Sequence, residues 1–131
     1  MLIYEVKTEN IETIENIENL LLIDSTIKDY QEVVDSVNDK TMAIVYDYEC
    51  TFEDLHNAIN ELKINRVGIF CHLNAPFFNN QQMYEDVSGM IDFIHTFTIK
   101  YIDFLACNTL KSEKYKSFYA KLPCIVGASI D

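Results

Sequence analysis

Glycine and proline are scarce in this chain, with three and two residues, and tryptophan is absent. The three glycines never fall into G-x-G-x-x-G or G-x-x-x-x-G-K-[ST], so a dinucleotide fingerprint and a P-loop are excluded. Basic residues are few as well: ten against twenty-one acidic ones, for a formal charge of -11. Such a surface repels a phosphate backbone and an anionic membrane alike, so neither nucleic acid nor membrane is expected as a partner. No apolar run approaches membrane-spanning length, and the opening "MLIYEVKTEN" has neither the basic start nor the apolar segment of a signal peptide. The expectation is a soluble protein, cytoplasmic or assembled into a particle. The four cysteines, Cys50, Cys71, Cys107 and Cys124, lie far apart, without a C-x-x-C pair or closely spaced histidines. A zinc site and a dense disulfide framework are therefore not signalled, and no metal or other cofactor is expected.

What is present is apolar material, 49% of 131 residues, sufficient for the core of one domain over 1–131. "LIYEV" alternates as an edge strand does, and "IETIENIENL" places Ile11, Ile14, Ile17 and Leu20 on one face of a short amphipathic helix. Residues 1–19 read as a strand and helix extension. Five strand-length apolar runs then follow, at 20–24, 42–47, 67–72, 102–107 and 124–129. Helical segments alternate with them: "TIKDYQEVVDSV", "TFEDLHNAINEL", a stretch around "QQMYEDVSGMIDFIHTF", and "SEKYKSFYAKL", three with Ser or Thr near the start as candidate N-caps. Alternation of this kind predicts an α/β three-layer sandwich, a mainly parallel five-stranded sheet with helices on both faces, and right-handed crossovers limit the strand orders open to it.

In an open sheet of this kind the loops at the carboxyl ends of the strands share one edge, and ligand sites collect there. That edge should receive Asp24, Ser25, Asp47, His72, Cys107, Asn108 and Asp131. Two of these are suited to covalent chemistry. A cysteine attacks carbonyls as its thiolate, and a neighbouring imidazole can hold that thiolate or hand a proton to the leaving group. His72 and Cys107 end successive strands, which on adjacent strands would lie over one cleft. The same pattern also describes a structural cysteine and a loop histidine. Cys71, next to His72, should point to the opposite face and serve the core. Asp24 and Ser25 are suited to capping the following helix. As a phosphoacceptor Asp24 lacks a D-x-D and a lysine at the end of the fourth strand. His56 and His95 fall on helical patterns, and Phe77 and Phe78 in "APFFNN" follow the histidine strand as an apolar patch or lid.

"LLIDSTIKDYQEVV", the strand ending in His72, "IDFLACN" followed by a helix, and "IVGASID" resemble, in order and from about residue 20 onward, the pattern of a bacterial domain of unknown function. That domain is found near the start of large surface adhesins. Its pattern runs "IDS…DYQ", "IVSHG", "LLYGCN" and "GADVAAS". It is in turn similar to the caspase, gingipain and separase group of cysteine peptidases, in which the catalytic His ends one strand and the catalytic Cys the next. The resemblance implies a caspase-like fold with the five strands ordered 2-1-3-4-5, His72 in the histidine place and Cys107 in the cysteine place.

The departures point away from catalysis. The glycine that follows the catalytic histidine in the group is Leu73 here, where it would crowd the oxyanion. "NRDG" after the second strand is "YECT" (48–51), and the sole arginine, Arg66, opens its strand at the end away from His72. The expectation is thus a non-catalytic structural or protein-interaction module that keeps a caspase-like fold, within a larger surface or viral assembly. The alternative is a cysteine endopeptidase with a Cys107/His72 dyad. The partner is a protein in the first case and a polypeptide substrate in the second. The short run to Asp131 after the fifth strand leaves a sheet edge through which the chain could pair with another copy or a larger assembly.

Overall fold

The computed structural model describes residues 3–7, 17–38, 40–59, 62–72, 77–106 and 109–128. Among them, apolar and β-branched runs form strands β1 (Ile3–Lys7), β2 (Asn19–Asp24), β3 (Thr41–Tyr46), β4 (Arg66–Phe70), β5 (Tyr101–Leu105) and β6 (Ile125–Ala128). Helices α1 (Tyr30–Ser36), α2 (Phe52–Ala58), α3 (Val87–Phe97) and α4 (Glu113–Ala120) occupy the intervals from β2 onward. The strands stand in one six-stranded sheet, β1-β3-β2-β4-β5-β6. The five predicted strands are all parallel and in the expected order. The sixth, β1, runs antiparallel along the outer side of β3 and is the edge strand that the alternation near the start of the chain suggests, added to the five parallel ones. The helix expected over 11–20 falls mainly outside the described residues, but its end does not remain helical: Asn19 and Leu20 belong to β2.

The helix starts follow their caps. Thr51 and Asp54 form a reciprocal capping box at α2, and the Ser112 hydroxyl accepts from the Tyr115 N–H at α4. Asp86 caps α3 by accepting from the Gly89 N–H. At α1 the expectation fails. Asp24 does not cap this helix; its Oδ1 accepts from both the N–H and the hydroxyl of Thr26, at 2.9 Å each, and this turns the chain directly after β2. The helix then begins only at Tyr30, after Asp29 in a left-handed conformation with no side-chain cap.

Period-two alternation divides the side chains between two layers. Leu20, Leu22, Met42, Ile44, Tyr46, Val67, Ile69, Ile102 and Phe104 face α2, α3 and α4 and form the larger core with Leu55, Met90, Phe93, Ile94, Tyr115 and Phe118. Fully buried side chains such as Ile69 and Ile102 each contribute roughly 1.5–3 kcal/mol relative to exposure. On the opposite face a smaller cluster, Ile23, Ile27, Val34, Ala43 and Val45, packs around α1. The result is a three-layer sandwich with unequal outer layers. Right-handed connections require this split: β2 to β3 runs one way along the sheet, and the later connections run the other.

The unequal layers correct one expectation. Strands of a doubly covered sheet should be apolar on both faces, yet β4, β5 and β6 present Arg66, Gly68, Tyr101, Asp103, Leu105, Ile125 and Gly127 on the α1 side. Leu105 is 47% exposed and Ile125 64%. Among the described residues no helix covers that half of the sheet face.

Candidate functional site

The direction of chain progression reverses between β2 and β4, which are sheet neighbours, so the topological switch point of the sheet, where ligand sites in open α/β folds collect, falls at the carboxyl ends of these two strands. Asp24 ends β2 there, and Cys71 and His72 follow β4. Tyr46 ends β3 on the other side of β2, paired in register with Asp24.

These side chains differ in accessibility. Asp24 is 3% exposed, the one buried charged residue among those described, and it retains its two Thr26 bonds. Cys71 is buried in the larger core, and its neighbour His72 is exposed, the alternation expected at the end of a strand. Burial, with the Asp24 carboxylate adding to it, pushes the Cys71 thiol up to about 12. An activated thiol needs a positive neighbour and some access to solvent. Cys71 has the opposite surroundings and stays a protonated core residue at neutral pH.

Tyr46 was not singled out from the sequence, where it reads as the last apolar residue of a strand. Its ring is fully buried, edge-on to Phe77 at 5.4 Å and to Phe78 at 4.8 Å between centroids. Among the described residues its hydroxyl has no hydrogen-bond partner. Burial holds the phenol well above its usual range, and the nearby Cys71 and Asp24 push the same way. Tyr115, also buried, donates to Gln82 Oε1 at 3.0 Å. The edge therefore carries a buried acidic and phenolic cluster that apolar periodicity could not distinguish from plain core.

Phe77 and Phe78 are corrected by the structure. They are buried rather than displayed, and they join Tyr46, Phe52 and Phe93 in one aromatic group. The Asn79 N–H donates to the Cys50 carbonyl and the Asn80 N–H to the Tyr48 carbonyl, which fasten this segment to the loop after β3. Asp47 shapes that loop by accepting from the N–H groups of Glu49 and Cys50. Cys50 is buried beneath it, its thiol pushed up to about 12 by burial and then by Asp54 and Asp47. His56 lies half-buried on α2 against Phe93 and Phe97, and His95 is exposed on α3.

Of the proposed dyad, His72 lies two residues beyond Phe70, whose partner in register on β5 is Leu105. Cys107 is two residues beyond Leu105 and lies outside the described residues, as do Leu73, Asn108 and Asp131. Among the described residues no group of His, Cys, Asp and Glu is arranged to hold a metal ion, and no helix is long and apolar enough to cross a membrane.

A concave feature lies on the sheet face that α1 leaves open. A groove of about 440 Å³ runs there along β2, β4, β5 and β6, bordered by Leu21, Arg66, Leu105 and Ala128. Its middle row crosses four strands at one register level: Leu21, Gly68, Asp103 and Gly127. Two of the chain's three glycines thus stand on either side of a single carboxylate. Arg66 Nε meets Asp103 Oδ2 at 3.5 Å, and the guanidinium lies 4.7 Å from the centre of the Tyr101 ring. Both partners of the pair are well exposed, so it contributes little to stability.

Comparison with protein-family models, curated proteins and solved structures finds no match to this chain.

Proposed function

We propose that this chain is a non-catalytic protein-interaction module of caspase-like ancestry that works as part of a larger assembly. The observation that carries the reading is the open half of the sheet face, where apolar side chains and a groove face solvent on an otherwise well-packed domain. A parallel sheet normally buries both faces, so a half-bare one is suited to being completed by another polypeptide. The outer edge of β6 is a second feature of this kind, because among the described residues no strand pairs with it.

A cysteine endopeptidase is the second reading, and one observation favours it. The strands that lead to His72 and Cys107 are parallel neighbours, and the residues two positions before each are paired in register. That is the placement a dyad on two strand ends requires.

Two measurements decide between the readings. Cys107 should react with iodoacetamide at neutral pH no faster than an ordinary exposed thiol. Peptides with acidic, basic or apolar residues before the cut should not be turned over. Turnover that disappears in Cys107→Ala, together with rapid selective alkylation of Cys107, would overturn the module and establish the peptidase.

A further inference from the structure

We infer that the open face of β4, β5 and β6 is the docking site for an amphipathic helix of a partner protein, whose apolar stripe carries a lysine or arginine that meets Asp103. This deepens the interaction-module reading and rests on it.

The shape of the face comes from its glycines. A Cβ at Gly127 would stand 2.5 Å from Asp103 Oδ1, and one at Gly68 would stand 3.1 Å from Leu21 Cδ1 and 3.5 Å from Leu105 Cδ1. Side chains at these positions would displace the carboxylate or fill the groove. Glycine within a strand weakens the strand, and its use often marks close approach by another backbone or ligand. Here the Asp103 carboxylate takes the space over Gly127 and the methyls of Leu21 and Leu105 take the space over Gly68, so these three side chains lie against the sheet and floor a shallow lane. A helix laid on a sheet fills a lane of this kind with one or two turns of apolar side chains, and it is the element that covers a parallel sheet elsewhere.

Charge selects the partner. The formal charge of -11 opposes a second copy of the chain and attracts a basic polypeptide. On the face itself Arg66 reaches Oδ2 of Asp103 through one long contact, and Oδ1, on the Gly127 side, has no hydrogen-bond partner among the described residues. An incoming ammonium or guanidinium has a carboxylate oxygen available in the middle of apolar surface. There exclusion of water strengthens the contact and penalises an acidic residue in the same place.

The test is selection from a display library of random helical peptides on the purified full chain. Affinities of selected peptides are then measured for the wild type, Asp103→Asn, Gly68→Ala and Leu105→Asp. Expected are peptides with apolar residues at helical spacing around a Lys or Arg. Their affinity should fall about tenfold in Asp103→Asn and be lost in Leu105→Asp. Changing the basic residue of the peptide to Glu should abolish binding to the wild type. Gly68→Ala, which adds one methyl against Leu21 and Leu105, should weaken binding while circular dichroism and a cooperative unfolding transition show the protein still folded. Peptides that bind equally well to all four proteins would place the interaction elsewhere, which overturns this docking site and leaves the module reading intact. Cys107-dependent cleavage of the selected peptides would remove both. A dimer in sedimentation that Leu105→Asp dissolves would give the face to a second copy. Nuclear Overhauser contacts from the Leu105 methyls to Ile11 or Ile14 in the free protein would give it to the chain itself. Failure to enrich any helical peptide also overturns the inference.

Discussion

Gly89 lies in the first turn of α3, the helix that carries the chain from the His72 strand to β5, and replacing it with alanine sets two effects against each other. In an ordinary helix the change stabilises by about 0.5–1 kcal/mol, because glycine loses more backbone entropy on folding. At this position an added Cβ would stand 2.8 Å from Cγ of Asp86 and 2.9 Å from its Oδ1, and closer still to Oδ2. Oδ1 is the atom that accepts the Gly89 N–H at 3.1 Å and caps the helix. The methyl group and the capping rotamer cannot occupy the same space. Losing an aspartate cap costs about 0.5–2 kcal/mol, and the carboxylate's attraction to the helix N-terminus adds about 0.3–1 kcal/mol. The cap wins, so Gly89→Ala should destabilise by about 0.5–1 kcal/mol. In an Asp86→Ala background, with no cap left to displace, the same change should stabilise by about 0.5–1 kcal/mol. The assay is urea unfolding followed by far-ultraviolet circular dichroism for the four proteins of the cycle, with equal slopes required. If Gly89→Ala stabilises the wild type as much as it stabilises Asp86→Ala, the carboxylate is not held over this turn and the reasoning fails.

Asp24→Ala should cost about 1–2 kcal/mol through its two Thr26 bonds, at the low end for charged acceptors because Thr26 is exposed and water can replace one of them; Asp24→Asn should cost less, and an unchanged unfolding midpoint in both would contradict the turn. Tyr46→Phe removes a buried hydroxyl that has no partner among the described residues and should be neutral or stabilising by up to ~1 kcal/mol, whereas a loss of that size would mean the hydroxyl is bonded. For Cys71 the pH dependence has a definite sign. The folded thiol titrates at about 12, so the folded and unfolded states are both protonated at neutral pH, and the unfolded state alone ionises as the pH rises past about 8.5. The stability lost by Cys71→Ala, measured by urea unfolding, should therefore shrink above that pH, approaching about 1.4 kcal/mol per pH unit, and a cost independent of pH from 8 to 10.5 would refute the burial of this thiol.

The five parallel strands were legible in the sequence because continuous apolar runs separated by helical periodicity leave few topologies once right-handed connections are imposed, and the resemblance chose the order among them. The N-caps Thr51 and Ser112 were legible for a local reason, since a cap bonds within three residues of itself. Asp24 was misread because an aspartate after a strand can serve a helix cap or a turn equally well, and the competition is decided by where the chain must go next. Phe77 and Phe78 were misplaced for the opposite reason. Nothing local places them, and their burial comes from Tyr46, Phe52 and Phe93, residues that the fold brings from distant parts of the chain.

By itself the sequence determined an acidic α/β domain, the set of strands, and the succession in which His72 follows one strand and Cys107 the next, because periodicity, charge and strand succession are properties of the chain. Tertiary structure alone decided which strand faces are covered. Val67, Gly68 and Ile69 read as one apolar run, but alternation sends Val67 and Ile69 into the core and leaves Gly68 on the open face. The row of Leu21, Gly68, Asp103 and Gly127 likewise comes from four segments whose register exists only once the strands are paired. A carboxylate between two glycines is therefore invisible along the chain, since its neighbours are supplied by hydrogen bonding between strands rather than by succession.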